Sequence, residues 1–94
     1  MTIFGEAILT RFIRKHAAAR KPMARFMEIA SNANWPHLAA LKETVSADLG
    51  KRTGKVIIDI GGNKYRLIAV VNFEKQYLLV DRVLTHEEYN RESL

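Results

Sequence analysis

Two short stretches of this 94-residue chain hold side chains able to move protons and to hold anions. The first is Ile60-Gly61-Gly62-Asn63-Lys64-Tyr65-Arg66, in which a glycine pair leads into an amide, a phenol and two cations. The second is Leu84-Thr85-His86-Glu87-Glu88-Tyr89, which sets an imidazole and a phenol three residues apart. The glycine pair fits no nucleotide loop. A P-loop requires G-x-x-x-x-G-K-S/T, and a dinucleotide fingerprint requires G-x-G-x-x-G opening a helix, whereas here a strand follows. It reads as a hairpin turn in which glycine and asparagine supply the positive φ angles that other residues resist. Such a turn would deliver Asn63, Lys64 and Arg66 to one edge of a sheet, close to the cationic segment Lys51-Arg52-Thr53-Gly54-Lys55.

In the second stretch Thr85 and Glu88 have the spacing of a capping box, so a helix starts there. His86 and Tyr89 then share one face of its first turn. The three histidines, His16, His37 and His86, are scattered without an H-x-x-x-H pair, carboxylates do not cluster, and cysteine is absent; a metal site is not expected. Hydrolysis by these groups would be metal-free. RNA transesterification suits them, because the substrate brings its own nucleophile, the 2′-hydroxyl. The protein need supply only a base, cationic stabilisation of the pentacoordinate phosphate, and an acid for the 5′-oxygen.

The elements that must position these groups follow from periodicity. Ile8, Leu9, Phe12 and Ile13 recur at helical spacing between Glu6 and His16, with Arg11, Arg14 and Lys15 largely on the other side. Ala17-Ala18-Ala19 extends this helix, and a second follows with Met23, Phe26, Met27 and Ala30 on its apolar face. Thr2-Ile3-Phe4 reads as a short strand or a lead-in to the first helix. After the break Ser31-Asn32-Ala33-Asn34, Pro36 suits the first turn of a short helix through Lys42, and Trp35 braces the corner. The composition then changes. Val56 to Ile60 is a β-branched strand, Tyr65 to Phe73 a second and Tyr77 to Val83 a third, joined by short turns into an antiparallel meander. On the second strand Tyr65, Leu67, Ala69 and Val71 share one face, and Arg66, Ile68 and Val70 the other. Helices first and strands afterwards give an α+β fold, with the helices on one face of a small antiparallel sheet and the other face partly open.

Length and composition allow one domain over residues 1–94, with 48% hydrophobic and 27% charged residues. No apolar run approaches the roughly 18 residues of a membrane span, and the missing cysteines fit a reducing compartment, so the expected location is cytoplasmic. Net charge is +5, with ten Lys or Arg against four acids before Val56 and five against six from there on. That asymmetry suits an anionic partner.

The stretch from Lys55 to Asn90 resembles the HigB-type toxins of bacterial type II toxin-antitoxin systems, a branch of the RelE/ParE-like superfamily. The resemblance rests on Gly61-Gly62-Asn63-x-x-Arg66 followed, after two strands, by Thr85-His86-x-Glu88-Tyr89. It implies a RelE-like fold closed by a short C-terminal helix, and a ribosome-dependent mRNA endoribonuclease without cofactor that arrests translation and growth. It also implies a helix-turn-helix antitoxin of HigA type, operator DNA bound only through that antitoxin, and no membrane partner. Carried over by position, Arg66 binds and stabilises the phosphate, and His86 and Tyr89 share acid, base or base-stacking roles. Lys51, Arg52, Lys55, Asn63 and Lys64 would bind RNA, with Arg82 as a second cation for the scissile phosphate. Two positions depart from the family pattern. Asp59 stands where asparagine is frequent, adding a negative charge near the RNA path if it faces that way, and Asn90 stands where aspartate is usual. Two other readings are a non-nucleolytic toxin of the same fold, such as a gyrase inhibitor, and a plain basic RNA-binding protein.

Overall fold

A computed structural model describes residues 1–94. The chain runs β1 (Thr2–Phe4), α1 (Glu6–Lys15), a single 3-10 turn (Ala17–Ala19), α2 (Arg20–Asn32), α3 (Leu38–Thr44), β2 (Ala47–Leu49), β3 (Val56–Ile60), β4 (Tyr65–Asn72), β5 (Tyr77–Thr85) and α4 (His86–Asn90). The five strands form one mixed sheet in the order β1-β5-β4-β3-β2. The expected meander is its centre, β3 to β5, all antiparallel. Two short edge strands enlarge it: β2 pairs antiparallel with β3, and β1 parallel with β5 through Thr2–Tyr77 and Phe4–Leu79.

Helix α2 buries Met23, Phe26 and Ala30, and they meet Val56, Ile58, Ile60, Tyr65, Leu67 and Ala69 from the sheet in one core. Trp35 is buried and donates from Nε1 to Thr44 Oγ1 at 3.1 Å, bracing the corner as expected. Pro36 lies outside α3. The helix instead begins after His37, whose Nδ1 accepts from the backbone N–H of Ala40 at 3.1 Å, so an imidazole does the capping. The chain passes from β1 to α1 at Gly5, with φ of 90°. A Cβ there would lie 2.9 Å from the Val80 carbonyl oxygen, so the close approach of this corner to β5 requires glycine. No helix is long and apolar enough to cross a membrane.

The opposite face carries a second apolar cluster of Ile57, Ile68 and Leu84 with Tyr89 and Leu94 packed on it. This face is less open than the sequence implies. Helix α4 and the segment after it fold back across it, and the backbone N–H groups of Arg52 and Thr53 donate to the Leu94 carbonyl oxygen at 2.7 and 2.9 Å. The uncovered part lies further along the sheet, where Phe4, Leu79 and Val70 are exposed on adjacent strands. A bulge breaks the ladder, since Ile68 pairs with Arg82 while Ala69 pairs with Val80. The extra residue is Asp81. It keeps Val80 and Val83 on the core side, so that strand β5 stays in phase on both sides of the irregularity.

Candidate functional site

The turn between β3 and β4 has the predicted chemistry: Gly61 and Gly62 adopt φ of 65° and 72°. It brings Arg66 opposite Asp59 in the β3–β4 register, both on the face away from the main core. Cross-strand neighbours on one face lie within side-chain reach. Arg66 Nε meets Asp59 Oδ1 at 3.0 Å, and Asp59 Oδ2 accepts from Ser46 Oγ at 2.9 Å. The remaining guanidinium nitrogens are also occupied: Nη1 donates to the Tyr65 carbonyl oxygen at 3.2 Å, and Nη2 donates to Asn63 Oδ1. The Tyr89 ring closes the site from above, its centroid 4.9 Å from the guanidinium carbon. Arg66 is the one charged residue among the buried ones, at 7% exposure. It is therefore a built-in cation, oriented by a carboxylate on one edge and held flat by a phenol.

Helix α4 starts where the sequence says it does. Thr85 Oγ1 accepts from the Glu88 backbone N–H at 3.2 Å, and the Thr85 backbone N–H donates to Glu88 Oε1 at 2.8 Å. That backbone N–H holds the Glu88 carboxyl below its ordinary value of 4.5 against the opposing effect of partial burial; the Thr85 hydroxyl and the charges of His16 and Arg91 add to it. A depressed carboxylate stabilises the fold above its unfolded pKa, and that contribution disappears as pH falls through the lowered folded value. Lowering pH below 4.5 is thus expected to loosen α4 before the main core, and Thr85→Ala should loosen it already at neutral pH, costing about 1 kcal/mol. The check is a pH titration of Tyr89 and His86 resonances by NMR in both proteins.

His86 is tied to the hairpin, its backbone N–H donating to the Lys64 carbonyl oxygen at 2.8 Å. The ring's Nδ1 is buried without a hydrogen-bond partner. A cleft of about 450 Å³ opens here, lined by Asn63, Lys64, Tyr65, Thr85, His86 and Glu87. Asn63 joins this cleft to Arg66 through its amide oxygen. The structure thus brings together Asn63, Lys64 and His86 in the cleft, with Arg66 and Tyr89 beside it.

The other cations lie elsewhere. Lys51, Arg52 and Lys55 precede β3 while the glycine turn follows it, so the strand separates them by roughly 16 Å, at about 3.3 Å per residue. The expected closeness of these two segments is not found. Lys55 Nζ pairs with Asp81 at 3.1 Å, Arg52 reaches Ser93 Oγ at 3.3 Å, and Arg82 pairs with Glu92 and more loosely with Asp81 at 3.8 Å. Asp59 does face Arg66, and as its partner rather than as a stray charge. Sequence reading missed Ser46, whose role depends on a strand pairing with no local signal. It also gave no role to Arg11, Arg14 and Lys15 of α1, although their spacing puts them on one helix face.

A family model described as HigB_toxin, the RelE-like toxic component of a toxin-antitoxin system, matches residues 19–92. No curated protein matches the chain.

Proposed function

The chain belongs to the RelE-like HigB toxins of toxin-antitoxin systems, and from that premise we propose that it is a metal-independent endoribonuclease that cuts mRNA on the ribosome and so stops translation. The family implies an antitoxin partner; we take it to be a helix-turn-helix protein of HigA type that carries the complex to operator DNA, both proteins acting in the cytoplasm.

The observation that carries the reading is the buried guanidinium of Arg66 beside the His86 cleft, oriented by Asp59 and stacked under Tyr89. Asp59 occupies Nε and fixes the fork. Nη1 and Nη2 face a backbone carbonyl and a neutral amide, both weaker acceptors than a phosphate oxygen, so a scissile phosphate would displace Asn63 from Nη2. Access requires Tyr89 to swing aside, and α4, which carries it, is five residues long with none buried. In the reaction the 2′-oxygen attacks the adjacent phosphorus as a base takes its proton. The 5′-oxygen leaves with a proton from an acid, giving a 2′,3′-cyclic phosphate and a 5′-hydroxyl. His86 and Tyr89 fill the acid and base roles in one order or the other, and Arg66 neutralises charge on the phosphorane.

A second reading, a non-nucleolytic toxin acting by binding alone, draws support from the same arginine, because every one of its nitrogens already has a partner. Induced expression separates the two. Growth arrest with new transcript ends mapped by primer extension is the expected result; arrest with intact mRNA and damaged DNA would instead favour a gyrase inhibitor, and neither effect would sink both.

A further inference from the structure

Of the cations that the ribonuclease reading places near β3 and β5, Lys55, Arg66 and Arg82 are paired with carboxylates while Lys51, Arg52 and Lys64 are not, and a separate unpaired group lies on α1. Arg11, Arg14 and Lys15 make no ion pair; the charged pairs involve Lys42, Lys55, Arg66 and Arg82. Their spacing of three and four residues puts them side by side on α1, where like charges repel one another. They border the largest cleft of the molecule, about 540 Å³, with Phe12 and His16 on its wall and Glu88 of α4 on the far side. Phe12 and His16 stack at 4.4 Å between ring centroids, and Phe12 meets Tyr65 edge-on at 5.6 Å. Tyr65 lines the His86 cleft, so the Phe12–Tyr65 contact connects the walls of the two cavities.

We propose that this cleft is a second RNA subsite, which binds one nucleotide of the substrate strand next to the one held at Arg66 and His86. The inference rests on the ribonuclease reading for its orientation but not for its chemistry. Three unpaired cations suit a phosphodiester, and the stacked Phe12–His16 pair offers a π face to a base. Glu88 Oε1 is already engaged by Thr85, and the carboxylate keeps acceptor capacity for the exocyclic amine of a base. This last feature separates RNA from an acidic protein segment, which has carboxylates to repel Glu88 and no side-chain amine to satisfy it.

The test is binding of a fluorescein-labelled, fully 2′-O-methylated RNA oligonucleotide, which cannot be cleaved, followed by anisotropy over a range of salt. The variants are Arg11→Ala/Arg14→Ala/Lys15→Ala and Lys75→Ala, an exposed cation in the β4–β5 turn that serves as the charge-loss control. The triple variant should bind about tenfold more weakly near 0.1 M salt, and its log–log salt slope should flatten by about 0.7 to 1.4, at roughly 0.7 for each of the one or two phosphates that flank a single nucleotide. Lys75→Ala should match the wild type, and equal thermal midpoints would show that all variants fold. An unchanged slope in the triple variant overturns the subsite. So does loss of binding to a polyglutamate peptide with RNA binding intact. Wild type that binds with the expected slope yet cuts no transcript keeps the subsite and removes the ribonuclease reading; wild type that does not bind RNA removes the subsite.

Discussion

Arg66→Ala is expected to lower transcript cleavage by about 10²- to 10³-fold, the usual cost of removing one preorganised charge from a transition state. The size follows from burial. A cation at 7% exposure is screened little by water, and Asp59, Tyr65 and Asn63 fix its direction before substrate arrives, so little reorganisation remains for the reaction itself. Arg66→Lys should recover only a small part, because an ammonium cannot keep Asp59 on one edge while presenting a planar fork to phosphate. The measurement is primer-extension yield per unit of soluble toxin, with thermal midpoints compared so that lost activity is not lost fold. If Arg66→Ala cuts as the wild type does, the arginine serves the fold alone and the chemistry lies elsewhere.

Asp59→Ala is expected to produce the largest loss of stability among the polar positions, about 2–3 kcal/mol. Breaking a buried ion pair costs roughly 3–5 kcal/mol when one charge is left uncompensated, and Asp59 here is a third exposed, which trims the figure. The stranded member is the arginine. Removing it as well should therefore restore much of the loss: Asp59→Ala/Arg66→Met is expected to unfold in urea at a higher concentration than Asp59→Ala. Additive losses in this double-mutant cycle would mean that the two side chains contribute independently, against the geometry.

The elements with local signals were legible in the sequence. Gly61 and Gly62 take the positive φ that a glycine pair between two apolar runs predicts, and Thr85 and Glu88 form both hydrogen bonds of the capping box. The apolar alternation of β4 assigned Leu67 and Ile68 to opposite clusters correctly. What was not legible depended on partners distant in the chain. Ala47-Asp48-Leu49 has no β-branched residue and shows as a strand only because β3 offers an unpaired edge. Covering of the second face was hidden because residues 91–93 are polar and only Leu94 adds apolar surface. The same limit applies to the site. His86, Tyr89 and Arg66 could be named from their types and spacing, yet Asp59 could be read only as a charge near the RNA path if it faced that way. Its meaning comes from register, which places it directly opposite Arg66. The bulge at Asp81 had one signal, two consecutive charged residues between the apolar stretches Leu78-Leu79-Val80 and Val83-Leu84.

The parallel pairing of β1 with β5 also sets a timetable for synthesis. Strand β1 has to wait for residues 77–79 before its edge is satisfied, and helices α1 to α3 emerge before any of the long strands they cover. Contacts that span most of a chain form late, because the loop between them must be closed first. Arg66 and His86 are themselves made after β1 and helices α1 to α3, so a nascent chain gathers the whole set only once β5 and the start of α4 have been made. The candidate site therefore stays incomplete until the strand that completes the sheet has also been made.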